Sequence, residues 1–400
     1  MTAAAFRSSM GVMFEPLESE FGWSRTDTSF AASVSLLLYG LTAPFAAAIL
    51  QRFQIRQVVA TALLLVCGGS FLTVFAMTQP WQLALYWGGF IGMGTGSIAL
   101  VFGAIVANRW FVKHRGLVIG AFSASSTTGQ LIFLSSVAKL VDAHGWRIAA
   151  GAVGTAALIM VPIAYAFLAD RPSAVGLTPY GAGSDYVEPE NVRLPVRAAA
   201  MSALSTLRHA LPHKTFWILA GTFFICGWST NGLIQTHFIP AAHDHGMPNT
   251  TAASLLAVIG IFDIVGTLAS GWLTDRFDSR VLLMFYYGLR GLSLLYLPMV
   301  LGPHVAPPML FFIIFYGLDW VATVPPTVNL CREFFGAQKS AVVYGWVFAS
   351  HMVGAGAGAA FAGWIRTVNG DYSIAWYTAG ALCIAAASSF VFLKRKVVEA

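Results

Sequence analysis

Apolar residues run along this chain in long unbroken blocks, separated by short polar turns. Twelve blocks are distinguishable, at residues 1–17, 27–50, 57–78, 82–107, 116–140, 147–169, 215–240, 251–274, 281–301, 308–331, 341–365 and 374–393. An α-helix needs about 20 apolar residues to cross the hydrocarbon core of a bilayer. The blocks do not alternate with period two, so a transmembrane β-barrel is excluded and helices remain. The pattern predicts an all-α polytopic membrane protein with twelve transmembrane helices in two pseudo-symmetric six-helix bundles.

Composition strengthens that reading. The 400 residues are 57% hydrophobic and 10% charged, with a mean hydropathy of +0.70. A soluble domain carries about 25% charged residues, so this chain lacks the polar side chains to cover itself in water. The first block is short and contains Arg7. No small-residue cleavage site follows a clean apolar core, so it is not read as a signal peptide. A start upstream of residue 1 would put Arg7 near mid-membrane, where a charge faces a cavity or a partner. A start at residue 1 would let it snorkel to the surface.

The turn after the eighth block reads Gly271-Trp-Leu-Thr-Asp275-Arg276-Phe-Asp-Ser-Arg280. A weaker echo, Ala-Ala-Ile-Leu-Gln51-Arg52-Phe-Gln-Ile-Arg56, begins at Ala47 after the second block. Aligning Arg52 with Arg276 sets an offset of 224 residues. The same offset lays Gly22 on Gly246 and Trp110-Phe111 on Phe334-Phe335, and one residue more lays Gly145 on Gly370. One register held over that distance indicates a duplicated chain. The domains expected are a bundle at 1–169, a cytoplasmic linker at 170–214 and a bundle at 215–400. The linker opens Pro- and Gly-rich, then turns amphipathic at Ala198–Leu211, as a segment lying on a membrane surface would.

The Gly-x-x-x-Asp-Arg-x-x-x-Arg turn, repeated in a twelve-helix context, resembles the signature loop of the major facilitator superfamily. The resemblance covers nearly the whole chain. It implies alternating access, in which two bundles rock about a midplane site. It also implies a gating role for Asp275 and Arg276, through helix-end contacts reaching Arg332 or Glu333. The first copy departs, with Ala47 and Gln51 in place of the glycine and aspartate.

Charge sets orientation. Of the 23 Lys and Arg, 17 lie in the loops on one side, among them Arg52, Arg56, Arg109, Lys113, Arg276 and Arg280. The positive-inside rule then puts both termini in the cytoplasm, and a bacterial inner membrane is the expected location. The net charge of +6 follows from this asymmetry and does not signal nucleic-acid binding.

Few polar residues interrupt the blocks, and they are the functional candidates. Arg7 is a candidate anchor for an anionic substrate. Asn231 and Gln235 lie four apart in the seventh block and share a helical face. The resemblance places that helix on the central cavity, so both are candidate substrate ligands. His237 is either a structural hydrogen-bonding residue or a gate. Asp263, Arg290 and Asp319 are buried in the eighth, ninth and tenth blocks. Two carboxylates to one arginine allow one to pair while the other titrates, which suits proton coupling; a static ion-pair network is the alternative. Arg290 is also a second candidate anion anchor. His351 is either a titrating group or a structural histidine. Pro325-Pro326 must bend or open the tenth helix. The four cysteines have no metal or redox spacing and are read as small packing residues.

Within the superfamily the chain resembles the monocarboxylate and oxalate/formate branch. Arg7 lies where those carriers place a basic residue, and Glu20-Phe-Gly-Trp-Ser-Arg25 and Trp110-Phe-Val-Lys-His-Arg-Gly116 resemble two of their loops. Asp263 resembles their eighth-helix aspartate. Those carriers follow it four residues later with an arginine, where this chain has Thr267. The implied function is secondary transport of a small organic anion, a carboxylate, coupled to protons as symport or antiport, by a monomer. The alternatives are a multidrug or other solute efflux antiporter and a transporter-like membrane sensor. No nucleophile–base set, metal cluster, cofactor loop or Walker motif is present, so neither an enzyme nor an ATP-driven pump is expected, and no cofactor.

Overall fold

The computed structural model describes residues 13–23, 25–50, 52–98, 100–183, 186 and 196–393. It is all-helical, apart from an isolated parallel bridge between Phe111 and Tyr180. Numbered by span, the helices are α1 (Phe14–Phe21), α2 (Arg25–Leu50), α3 (Ile55–Ala76), α4 (Pro80–Trp110), α5 (Arg115–His144) and α6 (Trp146–Phe167). A linker helix covers Val196–Ala210. Then come α7 (Lys214–Asp244), α8 (Asn249–Thr274) and α9 (Ser279–Val300). The tenth, α10, is Pro307–Asp319 resuming at Val324; α11 follows Gly336 and ends at Asn369; α12 is Ser373–Ser389.

Nine stretches among the described residues are long and apolar enough to cross a membrane. One of them, Pro307–Asn369, is 63 residues long and turns at Gly336, where φ is +77°, so it holds two crossings. The 30-residue α5 adds another. Of the first apolar block, the described part is α1. It runs on through Pro16 to Phe21, beyond the expected residue 17, and is stopped by Gly22 rather than by the proline.

Four glycines from the repeat register share a positive φ. Gly22, Gly246, Gly145 and Gly370 have φ of +68°, +84°, +82° and +82°. Each lies at a helix boundary with the positive φ that glycine adopts without a Cβ clash. The helix pairings repeat as well: α3 packs on α6 as α9 packs on α12, and α2 on α4 as α8 on α10. Duplication is thus visible in the caps and in the packing.

The chain forms two compact units, one within Met1–Lys113 and Ser125–Thr206, the other within His114–Ala124 and Leu207–Ala400. The start of α5 therefore belongs to the second unit. In that unit α7 and α11 approach closely through glycines. A Cβ on Gly227 or Gly232 would strike the backbone of His351 or Ala355, and one on Gly354 or Gly358 the backbone of Phe224 or Trp228. This is the small-residue contact by which membrane helices pack when burial itself gives little drive.

Candidate functional site

The polar centre of the second unit is built around a gap in α10. Its first segment stops at Asp319, and the helix resumes at Val324 with Pro325 and Pro326 in its first turn. Proline has no N–H to donate and its ring clashes with the carbonyl four residues back. Helical bonds to the carbonyls of Val321 and Ala322 are therefore impossible, and the four residues 320–323 must find other partners.

Local backbone turns supply some, such as the Val324 N–H donating to the Val321 carbonyl at 3.0 Å, and side chains from α8 and α9 supply others. Asp263 Oδ1 accepts the Val321 N–H at 2.9 Å, and Thr267 Oγ1 donates to the same oxygen at 2.7 Å. Ser270 Oγ donates to the Ala322 carbonyl at 2.5 Å. Arg290 Nη2 donates to the carbonyls of Asp319 and Trp320 at 2.6 and 3.1 Å. Inside a membrane an unsatisfied backbone group costs several kcal/mol, so these contacts make the break tolerable.

Arg290 also holds charge. Its Nε meets Asp319 Oδ2 at 2.6 Å, and its Nη1 donates to Cys226 Sγ at 3.0 Å. Asp263 and Arg290 are 0% exposed and Asp319 is 5% exposed. Cys226 Sγ lies 3.4 Å from Thr323 Oγ1, and His351 acts electrostatically on the same sulfur. The His351 ring lies against Phe223 and Phe348, and its Nδ1 has no partner. Asp319 Oδ1, also buried, has none either.

Three sequence expectations meet here and one is corrected. Asp263, Asp319 and Arg290 come together with His351 nearby. Arg290, a candidate substrate ligand, has its guanidinium turned wholly into the bundle. Cys226 is more than a packing residue: its sulfur completes the arginine's hydrogen bonding. The sequence marked Thr267 only as standing in place of an arginine, and it did not single out Ser270. Their signal was the stripe Asp263, Thr267, Ser270, Thr274, which keeps one face of α8 polar at helical spacing.

The loop after α8 forms a second polar site. Asp275 Oδ1 and Oδ2 accept the N–H groups of Gly116 and Leu117 at 2.8 and 3.0 Å, at the N-terminus of α5. A carboxylate there meets both unsatisfied N–H groups and the positive end of the helix dipole. The backbones approach closely enough that a Cβ on Gly271 would strike the Gly116 carbonyl. The partner of Asp275 is thus a helix end other than the one carrying Arg332 and Glu333, whereas Glu333 acts electrostatically on Arg280. Arg276 folds back over the Trp272 ring, 4.0 Å from its centroid.

On α7, Trp228–Ile234 widens into a π-helical turn, a feature frequent at functional sites. Asn231 and Gln235 are half-buried on either side of the buried Gly232, Leu233 and Ile234. His237 bonds the Ala359 carbonyl at 2.9 Å and the Tyr372 hydroxyl at 3.3 Å. Arg7 lies outside the described residues.

The sequence profile described as Major Facilitator Superfamily matches residues 1–349 and 242–400. The chain belongs to the Major Facilitator Superfamily. It is similar to an uncharacterised transporter of this type from Bacillus subtilis, YcxA, with 24% identity over 90% of this chain and 83% of that relative. It is 26% identical to monocarboxylate transporter 13 of Rattus norvegicus, over 96% of this chain and 84% of the other. With human monocarboxylate transporter 11 it shares 25% over 97% and 79%. Among solved structures, the human organic anion transporter MFSD10 superposes with a TM-score of 0.70 at 14% identity, covering 97% of both chains. The E. coli fucose:proton symporter FucP gives 0.67 at 14%, over 99% and 97%. These last two likenesses establish the fold alone. The protein is a multi-pass secondary transporter of a small molecule, not an enzyme.

Proposed function

We propose that this transporter moves a small organic anion, a carboxylate, across a bacterial inner membrane by alternating access coupled to protons. The bundles 1–169 and 215–400 are the two moving bodies, joined by the linker 170–214, with both termini cytoplasmic. The observation that supports the substrate class is full-length similarity to monocarboxylate transporters. The repeat register adds to it. Subtracting 224 from Asn231 gives Arg7, so the cationic candidate of the first half and the amide candidate of the second occupy equivalent sequence positions. Arg7 anchors the carboxylate, while Asn231 and Gln235 hydrogen-bond it. Arg290 is held back from that task by its bonds to Asp319 and Cys226. Asp275, bound to the start of α5, gates the cycle.

The competing reading is efflux of cationic compounds drawn to buried carboxylates. Both acids have other occupants here: Asp263 holds Val321 and Thr267, and Asp319 holds Arg290. The test is ligand-induced thermal stabilisation of the purified protein with mono- and dicarboxylates, amino acids and cationic drugs, in wild type and Arg7→Ala. A ligand specific for the native state raises its apparent stability. Carboxylate shifts that vanish in a folded Arg7→Ala variant are the expected outcome. Shifts from cations alone would replace this reading with efflux.

A further inference from the structure

We propose that the transported proton is carried by Asp319 on α10, and that Asp263 on α8 is a structural acceptor that does not titrate during the cycle. This rests on the proton-coupled reading above and assigns the site within it. Two carboxylates share the buried centre, and their surroundings differ in kind.

Asp263 Oδ1 already receives two donors, the Val321 N–H and the Thr267 hydroxyl. A proton on that oxygen would displace one of them and leave the α10 break with an orphaned N–H. The position four residues on, where an arginine could have shared the load, is Thr267. Asp263 is therefore bound to the backbone at the gap.

Asp319 has the opposite arrangement. Oδ2 takes Arg290 Nε at 2.6 Å, while Oδ1 is buried without a partner among the described residues. A buried oxygen with a free lone pair is a place for a proton. Charge counting agrees. Asp319 pairs with the guanidinium of Arg290 and Asp263 acts electrostatically on Asp319, so with two carboxylates and one guanidinium a single added proton makes the set neutral, which a low-dielectric interior favours. The groups acting around Asp319 come from every neighbouring helix: Cys226 on α7, Asp263 on α8, Tyr286 and Arg290 on α9, Tyr316 on α10 itself, His351 beyond Cys226 on α11 and Cys383 on α12. Arg290 is the one fixed cation in this set, and His351 is the other group that could accept a proton.

The step is a simple proton balance. One proton adds to Oδ1 and turns the Asp319 carboxylate into a neutral acid. Arg290 loses the ionic part of its contact with Asp319 and keeps its bonds to the Asp319 and Trp320 carbonyls and to Cys226. Those bonds, together with that of Asp263 to Val321, keep the break clamped. Release of the same proton on the other side restores the ion pair. Proton occupancy is in this way read out as the strength with which α9 grips the α10 break.

Infrared pH-difference spectra of the detergent-purified full chain test this without any substrate. The expected result is a titrating carboxylic-acid band in wild type that persists in Asp263→Asn and is lost in Asp319→Asn. Survival of the band in Asp319→Asn, its loss in Asp263→Asn, or its absence from wild type would overturn the proposal. If Asp319→Asn does not fold, Asp319→Glu should move the band's midpoint by roughly half a pH unit or more, within the scatter that environment imposes on carboxyl groups; an unmoved midpoint also overturns it. In proteoliposomes with an inside-alkaline gradient and radiolabelled pyruvate, Asp319→Asn should abolish gradient-driven accumulation and retain exchange. A band assigned to Asp319 together with no pyruvate or oxalate transport would leave the proton site standing and remove the carboxylate reading.

Discussion

In the first half of the chain, Tyr39, Val66 and Thr95 stand where the 224-residue register places Asp263, Arg290 and Asp319 in the second. Both halves interrupt the corresponding helix: α4 leaves helical backbone at Ile98, and α10 opens at residues 320–323. The first half closes its gap with small residues. A Cβ on Gly94 would meet the Ala62 carbonyl oxygen at 2.6 Å, and one on Gly96 that of Tyr39 at 2.6 Å. Thr95 satisfies itself on the Ile91 carbonyl at 2.7 Å. The second half uses a buried ion pair and three hydroxyl or carboxylate contacts. Among the described residues, every buried Asp, Arg and His belongs to the second half. A duplicated scaffold thus keeps its caps and pairings while, among the described residues, the buried aspartates, arginine and histidine sit in one copy.

Removing the arginine is the strongest way to break the contrast. Arg290→Met strands the Asp319 carboxylate and two carbonyls, so it should destabilise the detergent-purified protein by about 3–5 kcal/mol. The double variant Arg290→Met/Asp319→Leu should recover part of that loss, because no buried charge is left unpaired. Denaturation midpoints of the three proteins decide it; a double variant weaker than the single would mean that Arg290 acts mainly through the backbone.

The glycine solution is next in size. Gly94→Ala forces a Cβ onto backbone and should cost about 1–3 kcal/mol. Gly221→Ala has open space and should instead stabilise by about 0.5–1 kcal/mol. Equal effects in thermal melts would show that the tight packing of α4 is not what holds the first half.

The loop contrast is smaller in stability and larger in rate. Asp275→Asn weakens the contact with the start of α5 by about 0.3–1 kcal/mol. It should slow turnover more than it weakens substrate binding; weakened binding at unchanged turnover would remove the gating role. In the first half no equivalent aspartate exists. There Asp170, from beyond α6, caps α3 at Ile55 N and pairs with Arg109 at 2.7 Å.

The smallest effect concerns the helix ends that the register equates, Glu20 and Asp244. Glu20 takes Trp146 and Arg147, whereas Asp244 takes Arg366. The Arg147 guanidinium, helped by Trp146, holds the Glu20 carboxyl below its ordinary value. That contribution is complete above the ordinary carboxylate range and is lost as pH falls through the lowered folded value. Both partners are solvent-exposed, so it amounts to less than about 1 kcal/mol. Glu20→Gln should flatten the acid side of the stability profile slightly, and an unchanged profile would show that solvent screens the pair completely.

Sequence alone determined the membrane class, the repeat and the glycines that mark its register, because these depend on local composition and spacing. Long apolar blocks have only one low-energy form in lipid, and a helix end needs a residue that tolerates positive φ. Pro325-Pro326 likewise announced an opening in α10, since proline removes its donor wherever it falls. Which groups fill that opening depended on neighbours far along the chain. Ser270 and Ala322 lie 52 residues apart, Asp263 and Val321 58, and Cys226 and Arg290 64. A cysteine in an apolar run looks like packing until an arginine from another helix is found against it. Two aspartates, each in an apolar run, become distinct only when tertiary structure gives one of them two donors and leaves an oxygen of the other alone. Hydrogen bonding is directional and short-ranged, so its pairings are fixed by helix packing and are not written in spacing.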